Sequence, residues 1–297
     1  MEGHVPVMRD EVLAAVADLR AGVVADCTLG LGGHAEAILD ATPPVVRLIG
    51  LDRDPGAIAA STVRLARFGS RFMAVHAAYD AIPGILGAAG LRTTDRLLAD
   101  LGLSSVQLAG SRAFSFADDC PLDMRFDPTS GSSAAEVLRR MAESDLAQAL
   151  RELGEVPRAG RLARRIKDLA SVGRMETAAD LAMACREVLG PRVRGMASPT
   201  LPFQVVRILT NGELDRLDAL LSALPEVLSP GGRAVFISYQ SGEDGRVKRA
   251  FRAIAARGGF FLPARKPLRP GPGEVSENRR SRAAKLRLIQ RDEEAGP

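Results

Sequence analysis

At 297 residues the chain can bury a large core, either as one big domain or as a domain carrying an insert. Hydrophobic residues at 46% and charged residues at 26% are ordinary for a soluble globular protein, and a net charge of +4 permits a polyanionic partner without requiring one. Three widely spaced cysteines, Cys27, Cys120 and Cys185, form no CxxC pair. Neither a metal knuckle nor a disulfide framework is therefore suggested, and no metal is expected. Reduced thiols fit a cytoplasmic protein. No apolar run approaches the ~18 residues of a membrane span, and the N-terminus has no apolar signal region.

In chain order, His4-Val-Pro6-Val-Met8 leads into an amphipathic helix beginning near Asp10 and Glu11. A short apolar run, Val23-Val24-Ala25, reads as the first strand. It runs into Asp26-Cys-Thr-Leu-Gly30-Leu-Gly32-Gly33-His34 and then a helix to Leu39. Glycines allow a tight turn and close approach to a ligand, and the helix N-terminus offers unpaired N–H groups and partial positive charge. A second strand, Arg47-Leu-Ile-Gly-Leu51, ends in Asp52, where such folds place the acid that grips ribose hydroxyls. Strand, turn, helix and distant acid together point to a nucleotide cofactor. Gly30-x-Gly32-x-x-Ala35 also fits the nicotinamide-dinucleotide fingerprint, so a dehydrogenase remains open at this point.

A helix over 56–68, a third strand ending near Tyr79-Asp80, a helix over 82–89 and a fourth strand, Asp95-Arg-Leu-Leu-Ala-Asp100, continue the alternation. Alternating strands and helices predict a parallel sheet with right-handed crossovers. The polar turn Asp100-Leu-Gly102-Leu-Ser104-Ser105-Val-Gln107 then faces the same crevice as Gly32 and Asp52, beyond the carboxyl ends of the strands. Asp100 and Ser104 are the candidate catalytic contacts. Cys120 has no evident activating partner that would make it a nucleophilic thiolate.

After Gln107 the alternation stops. Helices open at Ser133, where Ser133-Ala-Ala-Glu136 is a capping box, and at Ser144, Arg158 and Thr177, with no strand candidate over 126–197. The expected organisation is a sheet domain over 1–112, an all-helical insert over 113–198 and a resumed sheet domain over 199–297. The third inserted helix carries Arg158, Arg161, Arg164, Arg165 and Lys167, either a solvated face or a phosphate-binding one. One long helix is expected over 203–224, then a Leu228-Ser-Pro230-Gly231-Gly232 turn and a fifth strand to Ser238. Lys285-Leu-Arg-Leu-Ile289 reads as a last strand, after a Pro/Gly-rich basic loop ending in Asn278-Arg-Arg-Ser-Arg282.

Several of these pieces together resemble one family. They are His4-x-Pro6-Val7 with Glu11; Asp26-x-Thr28-x-Gly30-x-Gly32-Gly33-His34; Asp52-x-Asp54; Asp100-Leu-Gly-x-Ser104-Ser105-x-Gln107-Leu; Phe114-Ser-Phe116 with Pro121-Leu-Asp-Met-Arg125; Phe203-Gln204 with Arg207, Asn211 and Glu213; Pro230-Gly-Gly-Arg233; and Asn278 with Arg280 and Arg282. The chain is similar to the bacterial 16S rRNA (cytosine-N4)-methyltransferases. The resemblance implies a Rossmann-like class I S-adenosylmethionine-dependent sheet with an inserted all-helical domain. It implies a cofactor site lined by Gly32, Gly33, His34, Asp52, Tyr79, Asp100 and Gln107. It also implies 16S rRNA or the small ribosomal subunit as partner, with no DNA or membrane partner; a homodimer is allowed. Contacts to RNA are expected from Arg161, Arg165, Arg280 and Arg282.

The chain departs from the family pattern at Gln240, where the family has histidine, and at Gly245, where it has arginine. Tyr79 replaces a common phenylalanine, and Asn278-Arg279-Arg280 an Asn-Pro-Arg. Two other readings stay open: a non-catalytic rRNA-binding or assembly factor that keeps the cofactor fold, and a methyltransferase acting on another amine.

Overall fold

The computed structural model describes residues 6–16, 18–102, 112–117 and 119–293. The chain divides into two compact units, residues 1–102 with 214–297, and residues 103–213.

The first unit is built on a seven-stranded sheet. Its elements are α1 (Arg9–Val16), β1 (Gly22–Asp26), α2 (Gly33–Ala41), β2 (Val46–Asp52), α3 (Pro55–Leu65), β3 (Phe72–His76), α4 (Ile82–Ala88) and β4 (Thr94–Leu101). Strands β3, β2, β1 and β4 lie side by side and parallel, so the strand order reverses beside β1. Ligands bind at such a reversal, where the loops leaving adjacent strands turn apart.

Period-two alternation distributes the apolar residues of each strand between two faces. Along β4, Leu97 and Ala99 face one layer while Leu98 faces the other. One layer packs Val12, Val16, Ile38 and Leu65 from α1, α2 and α3. The buried aliphatic side chains contribute about 1.5–3 kcal/mol each, which fixes the strand register against a one-residue slip.

The second unit contains α5 (Ala134–Arg140), α6 (Glu143–Glu152), α7 (Ala159–Ser171) and α8 (Ala178–Leu189). It also holds a two-residue hairpin, β5 (Arg192–Val193) with β6 (Met196–Ala197), and α9 (Thr200–Asn211). The hairpin departs from the all-helical expectation but does not join the central sheet. The Ser133–Glu136 capping box forms as expected, and Thr177 with Asp180 forms a second. Leu138, Leu146, Leu162, Ile166 and Leu181 fill the core of this unit.

Phe203, Val205 and Val206 of α9 belong to that same core, and the Asn211 amide donates to the Met124 carbonyl at 2.7 Å. The expected single helix over 203–224 is therefore two. Gly212, at φ 59° and ψ 36°, ends α9 in the left-handed conformation, and α10 (Glu213–Val227) begins directly after it. The break places the end of the helical unit at residue 213, beyond the boundary of 198 expected from sequence.

The first unit then resumes with β7 (Leu228–Ser238), α11 (Ser241–Ala256), β8 (Phe260–Phe261), α12 (Pro272–Glu277) and β9 (Lys285–Arg291). Leu217, Leu221, Phe236 and Phe251 fill the layer on the second sheet face. The Leu-Ser-Pro-Gly-Gly segment is not a free turn. It lies within β7, where the pairing with β4 shifts register between Thr94 and Arg96. β7 runs parallel to β4, whereas β9 pairs antiparallel with both β7 and β8.

Candidate active site

The turn after β1 is stitched to both neighbouring strands. Cys27 donates to the Leu98 carbonyl and Leu29 to the Leu51 carbonyl, each at 2.8 Å. The Asp100 N–H donates to Thr28 Oγ1 at 2.6 Å, and the Gly30 N–H donates to Asp52 Oδ2 at 2.7 Å. Gly32 then starts α2 at φ 78° and ψ 17°, a left-handed conformation that disfavours any residue with a Cβ. A Cβ there would also lie 3.1 Å from Leu65 Cδ1.

Around this turn stand three carboxylates and a histidine. Asp26 is buried, and its Oδ1 accepts from the Thr28 N–H at 3.1 Å. Its Oδ2 is buried with no hydrogen-bond partner among the described residues, and so are both ring nitrogens of His34. His34 Nε2 lies 3.7 Å from Asp100 Oδ2. Asp100 Oδ1 accepts from the Tyr239 hydroxyl at 2.8 Å. The Tyr239 ring packs where a Cβ on Gly102 would fall, 2.9 Å from Cε2, so glycine at 102 makes room for that contact.

Burial raises the Asp26 carboxyl to about 6; His34 lowers it, and the charges of Asp100 and Asp52 raise it. Burial also raises Asp52, against the three backbone N–H donors, of Asp54, Gly30 and Arg53, that hold it. The Tyr239 hydroxyl is pushed up by burial and then by Asp100, so it remains protonated and donates.

Sequence reasoning assigned Asp52 to ribose hydroxyls. The structure places it partly exposed at the end of β2, with Oδ1 accepting from the Asp54 N–H at 2.8 Å and Oδ2 from Gly30. The carboxylate accepts from the Arg53 N–H as well, and of its four lone-pair sites one is left for a ligand hydroxyl. Tyr79 is half-buried in a short helical turn beyond β3 and packs against the sheet core. Gly33 lies beneath Pro6, and the Met8 N–H donates to Glu274 of α12 at 2.8 Å, so the N-terminal segment is tied across the turn. Ser104 and Gln107 lie outside the described residues.

The residue that sequence reasoning missed is Tyr239. It was visible only as a neighbour of the Gln240 departure; its position at the polar end of a strand beside β4 was the available signal. Gln240 itself caps α11, exchanging hydrogen bonds with Glu243 in a capping box. A thiolate mechanism finds no support in the two fully buried thiols. Burial pushes Cys185 up to about 12 and drives Cys27 upward as well.

The expected RNA-contacting arginines differ in how they are held. Arg165 Nε donates to Glu187 at 2.7 Å, and Arg161 is exposed with no ion pair among the described residues. Arg280 and Arg282 are exposed in the 3₁₀ turn Arg279–Ala283. That turn leads into β9, whose Lys285 pairs with Ser238 at the crevice end of β7.

The sheet decides between the two nucleotide cofactors left open by the glycine turn. A dinucleotide fold repeats its mononucleotide half in parallel strands to the far edge. Here an antiparallel β9 interrupts the second half, which removes that second nucleotide site. The buried Asp26 oxygen and His34 ring nitrogens, unpaired among the described residues, instead fit the ammonium and carboxylate of the amino-acid end of S-adenosylmethionine. Fold and site define a class I S-adenosylmethionine-dependent methyltransferase.

Comparison with known proteins narrows the class. The chain belongs to the MraW methylase family, whose sequence model matches residues 1–292. Ribosomal RNA small subunit methyltransferase H of Sorangium cellulosum (strain So ce56) is 43% identical over 292 residues, covering 98% of this chain and 91% of that protein. The protein of the same name from Alcanivorax borkumensis is 41% identical over 303 residues, covering 97% and 96%. Among solved structures, PH0851 superposes with a TM-score of 0.50 at 12% identity, over 97% of this chain and 47% of that one, a likeness of fold alone.

Proposed function

We propose that this protein methylates the exocyclic N4 amine of a cytosine in 16S rRNA, using S-adenosylmethionine, within the small ribosomal subunit or its precursor. The observation that carries the chemistry is the fixed Asp100 carboxylate. It stands at the end of β4, one oxygen held by Tyr239 and the other facing His34, beside an Asp26 oxygen that is unpaired among the described residues.

When bound, the cofactor supplies a methyl group on a sulfonium sulfur. Transfer is an in-line displacement, so alignment counts for more than acid or base strength. Asp52 accepts from ribose hydroxyls, the Gly32 and Gly33 backbone lies close to the methionine end, and Tyr79 covers the base. Asp26 and His34 face the amino-acid end.

Asp100 accepts an N–H of the incoming amine, which localises the nitrogen lone pair toward the methyl. As the amine becomes cationic, the same carboxylate stabilises the charge and is placed to take the released proton. Ser104 is the second proposed acceptor. Arg280 and Arg282, together with Arg161 and Arg165 of the helical unit, contact the RNA backbone.

The test is transfer of tritiated methyl from S-adenosylmethionine to small subunits lacking the modification, followed by mass mapping of the rRNA. N4-methylcytosine at a single site is expected. Cofactor binding without transfer to any rRNA would instead favour an assembly factor. Transfer to a different acceptor would favour another amine substrate.

A further inference from the structure

The cations of the two units are used differently. The helical unit is nearly balanced, with fifteen Lys and Arg against fourteen Asp and Glu over residues 103–213. Many of its cations are spent internally: Arg164 pairs with Glu143 at 3.3 Å, Arg139 with Glu176, and Lys167 donates to the Leu138 and Arg139 carbonyls. Residues 241–291 instead hold fourteen Lys and Arg against four Asp and Glu.

Three of those four acids have internal partners. Glu243 caps α11, Asp244 binds Lys285 and Arg287, and Glu274 accepts from Met8. Exposed Lys248, Arg249, Arg252, Arg279 and Arg282 make no ion pair among the described residues. A surface that keeps so much positive charge uncompensated raises the local concentration of a polyanion.

Position gives this charge a direction. Tyr239, which holds Asp100, is followed at once by the Gln240 cap of α11, so the helix starts at the crevice. Its buried face carries Val247, Phe251 and Ile254. Lys248, Arg249 and Arg252 stand three and four residues apart on the outer side, with Lys248 roughly 10 Å along the axis from Ser241. Helical side chains lean toward the N-terminus. Accordingly, the Arg249 guanidinium lies back over Gly245, with Nη1 3.3 Å from where a Cβ on that glycine would stand. Arg279 and Arg282 sit at the start of β9, at the same end of the sheet as Ser238.

We infer that the outer face of α11, through Lys248, Arg249 and Arg252, forms with Arg279 and Arg282 a phosphate track. It carries single-stranded rRNA toward the crevice and contributes more to backbone binding than the helical unit does. The inference rests on the rRNA reading above and names the surface by which the substrate is held.

The experiment compares the full-length protein with the variant Lys248→Ala/Arg249→Ala/Arg252→Ala, measuring affinity for a small-subunit rRNA fragment across salt concentrations. Each lost phosphate contact lowers the logarithmic salt slope by roughly 0.7 on single strands, so the triple variant should lose about 2. Its calorimetric affinity for S-adenosylmethionine should be unchanged, which also shows that it is folded. A control, Arg139→Ala/Arg164→Ala, removes cations already paired inside the helical unit and should leave the slope as in the wild type. The charge-keeping variant Lys248→Arg/Arg249→Lys/Arg252→Lys should also keep the wild-type slope.

A wild-type slope in the triple variant, or a larger loss in the control, would overturn the track while leaving the methyltransferase reading intact. Preferential binding of the wild type to anionic phosphatidylserine vesicles over the rRNA would overturn it in favour of a membrane surface. Absence of both RNA binding and methyl transfer in the wild type would remove the underlying rRNA reading and the track with it.

Discussion

Replacing Asp52 separates its bracing of the turn from its proposed grip on ribose hydroxyls. Its oxygens accept from the Gly30 and Asp54 N–H groups at 2.7 and 2.8 Å. Hydrogen bonds to a charged acceptor contribute about 1.5–3 kcal/mol each. Asp52→Ala removes both, but it also removes a carboxylate whose ionisation burial disfavours. The net loss of folding stability should therefore be about 1–3 kcal/mol, a fall in melting temperature of roughly 2–10 °C for a domain of this size.

Loss of the ribose contacts should weaken S-adenosylmethionine binding by about tenfold or more, since 1.4 kcal/mol is one decade in affinity. Asp52→Asn keeps one acceptor oxygen and the side-chain shape. It should retain most of the stability while losing part of the affinity. Calorimetric titration and thermal unfolding of both variants give the answer. Lower stability with wild-type cofactor affinity in Asp52→Ala would show that the residue only braces the turn, and the ribose assignment would fall.

The remaining predictions concern the rest of the site. Asp100→Asn should leave RNA bound and reduce methyl transfer by about 10²-fold or more, read as single-turnover rate on small subunits. Tyr239→Phe removes the donor held 2.8 Å from Asp100 and should lower turnover about tenfold, with thermal unfolding little changed. Gly32→Ala, at φ 78°, should cost about 1–2 kcal/mol of stability in chemical denaturation and weaken cofactor binding in parallel. The Asp26 carboxyl, raised from 3.8 to about 6, gives the ligand-free protein a stability contribution present below the lower value and lost as pH rises through the upper one. A cationic ligand binds the ionised form, so the melting shift produced by S-adenosylmethionine should grow between about pH 5 and pH 7; a shift independent of pH would detach Asp26 from the cofactor.

What the sequence made legible is what lies close together in it. The glycine turn, Asp52 and Asp100 each stand at the end of an apolar run, and strand periodicity places all three at one edge of a parallel sheet. The Tyr239–Asp100 hydrogen bond joins residues 139 positions apart, and no local pattern signals that pairing. Its existence follows from β7 lying beside β4 in a register that sets Ser238 against Leu101. Local pattern also misplaced the end of the helical unit. Apolar periodicity runs through residues 203–224 without interruption, and one glycine in a left-handed conformation divides what it would make continuous. Pro230-Gly231-Gly232 has turn composition, yet pairing on either side keeps it within β7 as an irregularity. In each case tertiary packing overrode a correct local preference.

The carboxylates at the switch point explain why the turn is so heavily braced. Asp26 and Asp52 are both raised by burial, and Asp26 also feels the negative charges of Asp52 and Asp100. Left mobile, three such groups would turn outward toward water. They are prevented by backbone bonds from Cys27, Leu29 and Gly30 to both flanking strands, and by the Tyr239 hydroxyl on Asp100. Polar atoms of Asp26 and His34 are thus held in place without hydrogen-bond partners among the described residues. Such an arrangement favours a ligand that brings positive charge, with no reorganisation at the moment of binding. S-adenosylmethionine brings a sulfonium as well as an ammonium, and methyl transfer neutralises the sulfonium. In the proposed site the fixed acids therefore attract the substrate form of the cofactor more strongly than its product, so the geometry that would assemble the reactants would also favour release after transfer.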